Sequence, residues 1–127
     1  MKKILLLCVI VCQFLSCKKE EKTDPSFPLE YKISPLDSYI TKIEYKDQTG
    51  TSVETTNLST FPGGIKTITV PSKPFSAQLT IEVNNTTTST LNYTLTISVY
   101  GVPQKTVSLP APAMTASTKI KAEVDFN

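Results

Sequence analysis

From Leu29 onward apolar and polar residues alternate at period two, the spacing that places every second side chain of an extended strand on one face. The clearest run is Phe75 to Val83, with Phe75, Ala77, Leu79, Ile81 and Val83 on one face and Ser76, Gln78, Thr80 and Glu82 on the other. Leu91 to Val99 repeats the pattern: Leu91, Tyr93, Leu95, Ile97 and Val99 point inward and Asn92, Thr94, Thr96 and Ser98 outward. Between the two runs, Asn84-Asn85-Thr86-Thr87-Thr88-Ser89-Thr90 is polar and turn-forming. The runs are therefore expected to pair as one long antiparallel hairpin with a single solvated face.

The same alternation marks Leu29, Tyr31 and Ile33 as a short first strand, and puts Tyr39, Thr41, Ile43 and Tyr45 on one face of a second. Asp47-Gln48-Thr49-Gly50 is the turn that follows, with Gly50 free to take positive φ. Thr51 to Leu58 predicts a third strand, Phe61-Pro62-Gly63-Gly64 breaks the chain, and Ile65 to Val70 predicts a fourth, closed by Pro71 and Pro74. Gly101-Val102-Pro103-Gln104 turns into a strand from Lys105 to Leu109. After Pro110 and Pro112, a last strand points Ile120, Ala122, Val124 and Phe126 one way. About 7–8 short strands at roughly ten-residue spacing, with no helical period, predict an all-β fold: a single immunoglobulin-like antiparallel β-sandwich. The chain has no tryptophan and its three cysteines are all N-terminal, so the likeness to immunoglobulin domains is one of architecture.

The first residues break the pattern. Met1-Lys2-Lys3 is positive, and Ile4 to Leu15 is an apolar run of about a dozen residues, long enough for a secretory signal and too short to span a bilayer. It ends in Phe14-Leu15-Ser16-Cys17, which resembles the lipobox of bacterial lipoproteins, where the signal is cut before a diacylated cysteine. The resemblance implies that residues 1–16 are a signal peptide and that Cys17 is the acyl acceptor, making the membrane a partner through an N-terminal lipid anchor. At about 0.8 kcal/mol per buried CH₂, two or three acyl chains suffice for stable attachment. Cys8 and Cys12 lie in the segment to be removed and read as apolar filler. Behind the anchor, Lys19, Glu20 and Glu21 resemble the export tag that sends some Gram-negative lipoproteins to the outer face of the outer membrane. Surface display is the expectation, with the periplasmic face as the alternative. Residues 17–28, charged and interrupted by Pro25 and Pro28, are expected to form a flexible tether of roughly 15–20 Å, holding a domain of residues 29–127 close to the membrane.

A second resemblance lies within the domain. The run ITKIEYKDQTGTSVETTNLSTFPGGIKTITVPSKPFSAQLTIEV, followed by YTLTISVYGVPQKT, resembles the extracytoplasmic domain of the MmpS family over roughly residues 38 to 109. The shared features are a Tyr-x-Asp-x-x-Gly hairpin, a strand leading to a proline, a Phe-Ser-Ala-Gln-Leu strand, and a strand, tight turn and strand near the end. Members of that family are membrane-anchored β-sandwiches that act as accessories to lipid or siderophore exporters. The resemblance therefore implies an accessory subunit of an envelope transporter, with an acyl anchor in place of a transmembrane helix.

Charge and chemistry narrow the function classes. The chain carries thirteen lysines, no arginine and eleven acidic residues; loss of Lys2 and Lys3 with the signal leaves the mature chain formally neutral. A neutral chain without arginine offers no basic surface for nucleic acid. Histidine is absent, and Glu30, Asp37, Glu44, Asp47, Glu54, Glu82, Glu123 and Asp125 are scattered singly; Glu44 and Glu82 alone are spaced to meet across strands. No nucleophile–base set, metal-ligand cluster or cofactor motif stands out, so no catalytic residue, metal or cofactor is assigned. Of the tyrosines, Tyr100 beside the Gly101 turn is the one expected to be exposed. The expected function is a non-enzymatic, lipid-anchored binding or accessory module contacting an envelope protein or glycan. A periplasm-facing transporter accessory comes second and a small hydrolase third. The candidate binding loop is Asn84 to Thr90, seven residues where a minimal hairpin needs about two.

Overall fold

Alternation is realised as eight strands in the structure, a computed structural model that describes residues 25–127. The strands are β1 (Phe27–Ser34), β2 (Ile40–Lys46), β3 (Ser52–Thr55), β4 (Ile65–Val70), β5 (Phe75–Asn85), β6 (Leu91–Val99), β7 (Val102–Ala111) and β8 (Thr115–Phe126), with two short 3-10 turns at Leu58–Thr60 and Pro62–Gly64. They form two four-stranded sheets, β4-β1-β6-β7 and β3-β2-β5-β8, with every pairing antiparallel. The expected all-β sandwich is the architecture of the chain.

Its core is built from the inward positions of the alternating runs. Phe75, Ala77, Leu79, Ile81 and Val83 of β5 are all buried, as are Leu29, Tyr31 and Ile33 of β1, Tyr93, Leu95 and Ile97 of β6, and Ile120 and Ala122 of β8. Each large apolar side chain so buried stabilises the fold by roughly 1.5–3 kcal/mol. An aromatic row crosses the sheets: Tyr31 and Tyr45 lie 5.8 Å apart, and Phe61 meets Tyr45 edge-on at 5.5 Å. Phe61 was expected only to break the chain, yet it is fully buried. The 3-10 turn at Leu58–Thr60 carries the chain from β3 to this ring, and the turn at Pro62–Gly64 leads on into β4.

Four expectations are corrected. First, β5 and β6 do not form a hairpin. β5 pairs with β2 and β8, and β6 pairs with β1 and β7, so Asn84–Thr90 crosses from one sheet to the other. Alternation shows which face of each strand is buried, but lateral pairing and packing across the core bury the same face. Second, the register of β2 slips between Ile40 and Lys42, so Ile40 is buried with Ile43 and Tyr45 while Thr41 is exposed. A bulge sets two residues against one and shifts the inward phase. Third, β7 runs through Pro103 and Pro110 rather than stopping between them. It is the edge of its sheet, where a missing N–H leaves no partner unsatisfied. Fourth, β1 begins at Phe27, two residues ahead of the expected domain start, with Phe27 buried and its ring 5.6 Å from Phe126.

Strand directions give the sandwich two distinct ends. Phe27, Val70, Phe75, Val99 and Phe126 end their strands on the side where the chain emerges from residue 25; Ser34, Ile65, Asn85, Leu91 and Thr115 end theirs on the other. A strand of β8's twelve residues separates the two by about 35 Å.

Candidate functional site

The outer face of the β3-β2-β5-β8 sheet carries the domain's charged network. Register places Lys42, not Glu44, opposite Glu82; Glu44 stands against Thr80 and Glu54. Lys42 Nζ lies 3.5 Å from both Glu54 Oε1 and Glu82 Oε2, and the Ser117 hydroxyl donates to Glu82 Oε1. That hydrogen bond and the lysines nearby hold Glu82 below the usual carboxylate range, while Glu54 and then Glu82 raise Lys42. A carboxylate so held is a weaker base than a free one, which is the reverse of what general base catalysis selects. The network ties strands together in solvent.

Two tyrosine hydroxyls reach from the core to polar partners. Tyr31 donates to the Lys46 carbonyl at 2.8 Å, and Tyr93 donates to both carboxylate oxygens of Asp37 at 2.9 and 3.0 Å. Burial raises the pKa of both, with the Asp37 carboxylate adding to the shift at Tyr93. Both stay neutral donors, Tyr31 bracing the end of β2 and Tyr93 the β1–β2 loop. Among the described residues, no group of three His, Cys, Asp or Glu side chains is placed to hold a metal ion.

The candidate loop lies at the end away from residue 25. Asn84 and Asn85 are the last residues of β5, and Asn84, Thr86, Thr88, Ser89 and Thr90 are exposed, Thr87 half-buried. Asn85 is buried and organises the crossing. Its Nδ2 donates to the carbonyls of Ser89 and Ala111, each at 2.8 Å, and its Oδ1 accepts from the Thr87 amide at 3.0 Å and hydroxyl at 2.7 Å. The Thr87 carbonyl accepts from the Met114 amide, joining the loop to the β7–β8 connection. The length that marked this loop as functional is the length needed to change sheets. What remains for binding is its exposed rim of threonine and serine, beside Met114 at 71% exposure.

The opposite end holds a feature that alternation did not reveal. Pro25, Phe27, Val99, Tyr100 and Phe126, with Lys73 and Gln104 at the rim, line an open cleft of about 330 Å³. A neighbouring hollow of about 280 Å³ shares Phe126 and runs along Pro74 and Phe75. Tyr100 and Gly101 form the β6–β7 turn with φ of +50° and +74°, the two positive values that a type I′ turn requires. The turn projects Tyr100 at 67% and Val102 at 58% exposure. Tyr100 was legible in the sequence; the other lining residues come from four strands, the β4–β5 loop and the segment before β1, and only their assembly makes a cleft.

Cys17, Lys19, Glu20 and Glu21 lie outside the described residues. No family model matches the chain, and no curated protein matches it either.

Proposed function

We propose that this chain is a non-enzymatic binding or accessory module, fixed to the outer membrane through a lipidated Cys17 and displayed at the cell surface. The observation that supports this best is where the chain leaves the sandwich. Pro25 is part of the cleft wall, eight residues from Cys17, so the anchor lies no more than about 27 Å from that end. A lipid at Cys17 holds the cleft end beside the bilayer and turns the Asn84–Thr90 rim away from it, toward an envelope protein or glycan. The solvent-held carboxylates favour binding over catalysis. A palmitate analogue should label the wild type in cells and leave Cys17→Ala unlabelled; label on the variant overturns the anchor. With Glu20 and Glu21 changed to Ala, the lipid should remain while the domain becomes protected from protease added to intact cells.

A periplasm-facing accessory to an envelope transporter is the second reading. It draws support from the strand, tight turn and strand at Leu91–Ala111, the element shared with the MmpS resemblance. Protease protection of the wild type on intact cells selects it.

A further inference from the structure

Tyr100 occupies a position that its own backbone disfavours. The first central residue of a type I′ turn has φ near +50°, where glycine, asparagine and aspartate are at ease and a bulky aromatic is an outlier. The ring is not held there by burial, since two thirds of the residue is exposed. It is held by the chain leading to the anchor: the Tyr100 amide donates to the Pro28 carbonyl and its hydroxyl to the Ser26 carbonyl, each at 3.4 Å. A disfavoured conformation kept at an exposed aromatic points to a contact outside the domain.

We infer that the end of the sandwich joined to the tether rests in the headgroup region of the bilayer that holds the anchor, with Tyr100 and Val102 as the side chains that enter it. This rests on the lipid-anchor reading. The tip has the makeup of an interfacial contact. An amphipathic tyrosine and a valine project from it, an apolar cleft opens beside them, and Lys73 stands at the rim where a phosphate would lie. Among the described residues no carboxylate lines the cleft, and Asp125 in the neighbouring hollow is hydrogen-bonded by Ser76. Placement singles out the bilayer as the occupant, because eight residues separate Pro25 from Cys17 and the tip cannot move more than about 27 Å from the anchored lipids. Such tethering makes the contact intramolecular, so an interaction too weak to recruit a free domain is populated beside the membrane. Met114, exposed and also at positive φ (+54°), and Leu109 have no such tether, so it is the tether and not the backbone conformation that singles out this end: Met114 lies at the far end.

The chain itself supplies the test. It has no tryptophan, and Cys17 is the single cysteine of residues 17–127, which include the whole sandwich. Residues 17–127 are coupled through Cys17 to a maleimide phospholipid in vesicles of phosphatidylethanolamine and phosphatidylglycerol, with Tyr100→Trp as one probe and Met114→Trp as another. The Tyr100→Trp emission should move to shorter wavelength on the vesicle and be quenched several-fold more by brominated acyl chains than that of Met114→Trp. Val102→Trp should repeat the result, which guards against disturbance of the turn. Unshifted emission at both tip positions overturns the inference, as does equal quenching at Met114→Trp. A shift that appears only at high protein density, and vanishes near one molecule per vesicle, assigns the tip to a second copy of the chain and also overturns it. Because the lipid is attached chemically, failure here leaves the cellular anchor standing, whereas an unacylated Cys17 in cells overturns the anchor and with it the contact in cells, even where the vesicle result holds.

Discussion

Gly63 and Gly64 are adjacent, both have positive φ, and they do different work. At Gly63, with φ +64°, a methyl group would meet nothing within 4 Å; at Gly64, with φ +80°, it would sit 2.3 Å from the Ile33 carbonyl oxygen. Gly63→Ala should therefore cost only the left-handed penalty of about 1–2 kcal/mol. Gly64→Ala must also push β1 backbone aside, for a total above about 3 kcal/mol, and thermal unfolding of the two variants should separate them clearly. Asn85→Ala removes four hydrogen bonds from a buried site, leaves the Ala111 carbonyl without that donor, and should cost about 2–3 kcal/mol. Tyr100→Asn should run the other way. Relief of positive φ should raise stability by up to about 1 kcal/mol, while the same change should weaken the contact with lipid proposed above. A variant that gains stability and loses a contact identifies a residue kept for its surface.

At the scale of elements, the two connections that flank β6 contrast in job. Tyr100-Gly101 joins neighbours in one sheet and needs only two residues between Val99 and Val102. Asn84–Thr90 leaves one sheet for the other, about 10 Å away across the core, and is held in that path by Asn85. Replacing Thr86–Ser89 with Asn-Gly, harmless in a hairpin, should here remove the Thr87 and Ser89 partners of Asn85, shorten the crossing, and cost about 2–3 kcal/mol, as Asn85→Ala does. Unfolding in urea reads the difference. Unchanged stability would mean that the crossing is not braced as described.

At the scale of the molecule, titration should shape stability on both sides of neutrality. Asp47 is hydrogen-bonded by the Thr49 hydroxyl and by the Thr49 and Thr51 amides, and Glu82 by Ser117; both pKa values fall below the ordinary 3.8 and 4.5. A lowered folded pKa gives stability that is present above the unfolded value and lost as pH falls toward the folded one, so the acid limb begins near pH 4.5. Both groups are half-buried at the surface, where solvent screens them, so that limb is shallow. Tyr31 and Tyr93 have pKa values raised above 10.0, chiefly by burial, and the sign reverses. Their contribution is whole below pH 10.0 and erodes as the unfolded chain ionises above it. The urea midpoint should be flat between the limbs and drop above pH 10.0. Tyr31→Phe should lower the plateau, through loss of the bond to Lys46, and flatten the alkaline drop.

Period-two alternation by itself determined that this chain is a β-sandwich and named most of the residues that fill it. Phe75, Ala77, Leu79, Ile81 and Val83, then Leu29, Tyr31 and Ile33, and Ile120 with Ala122 were assigned inward by spacing and are buried. That information is local, because each side chain's face follows from its neighbours along one strand. Pairing partners are not local. Whether β6 lies beside β5 or across the core from it changes no residue's burial, so the sheet change at Asn84–Thr90 left no mark on the alternation. The bulge at Ile40–Lys42 and the burial of Phe61 belong with it, since both answer to the surface the chain packs against. The cleft beside Pro25 depends most on tertiary structure. Phe27, Lys73, Val99, Gln104 and Phe126 are far apart in the chain, and only antiparallel pairing brings the start of β1, the end of β6 and the end of β8 to one edge.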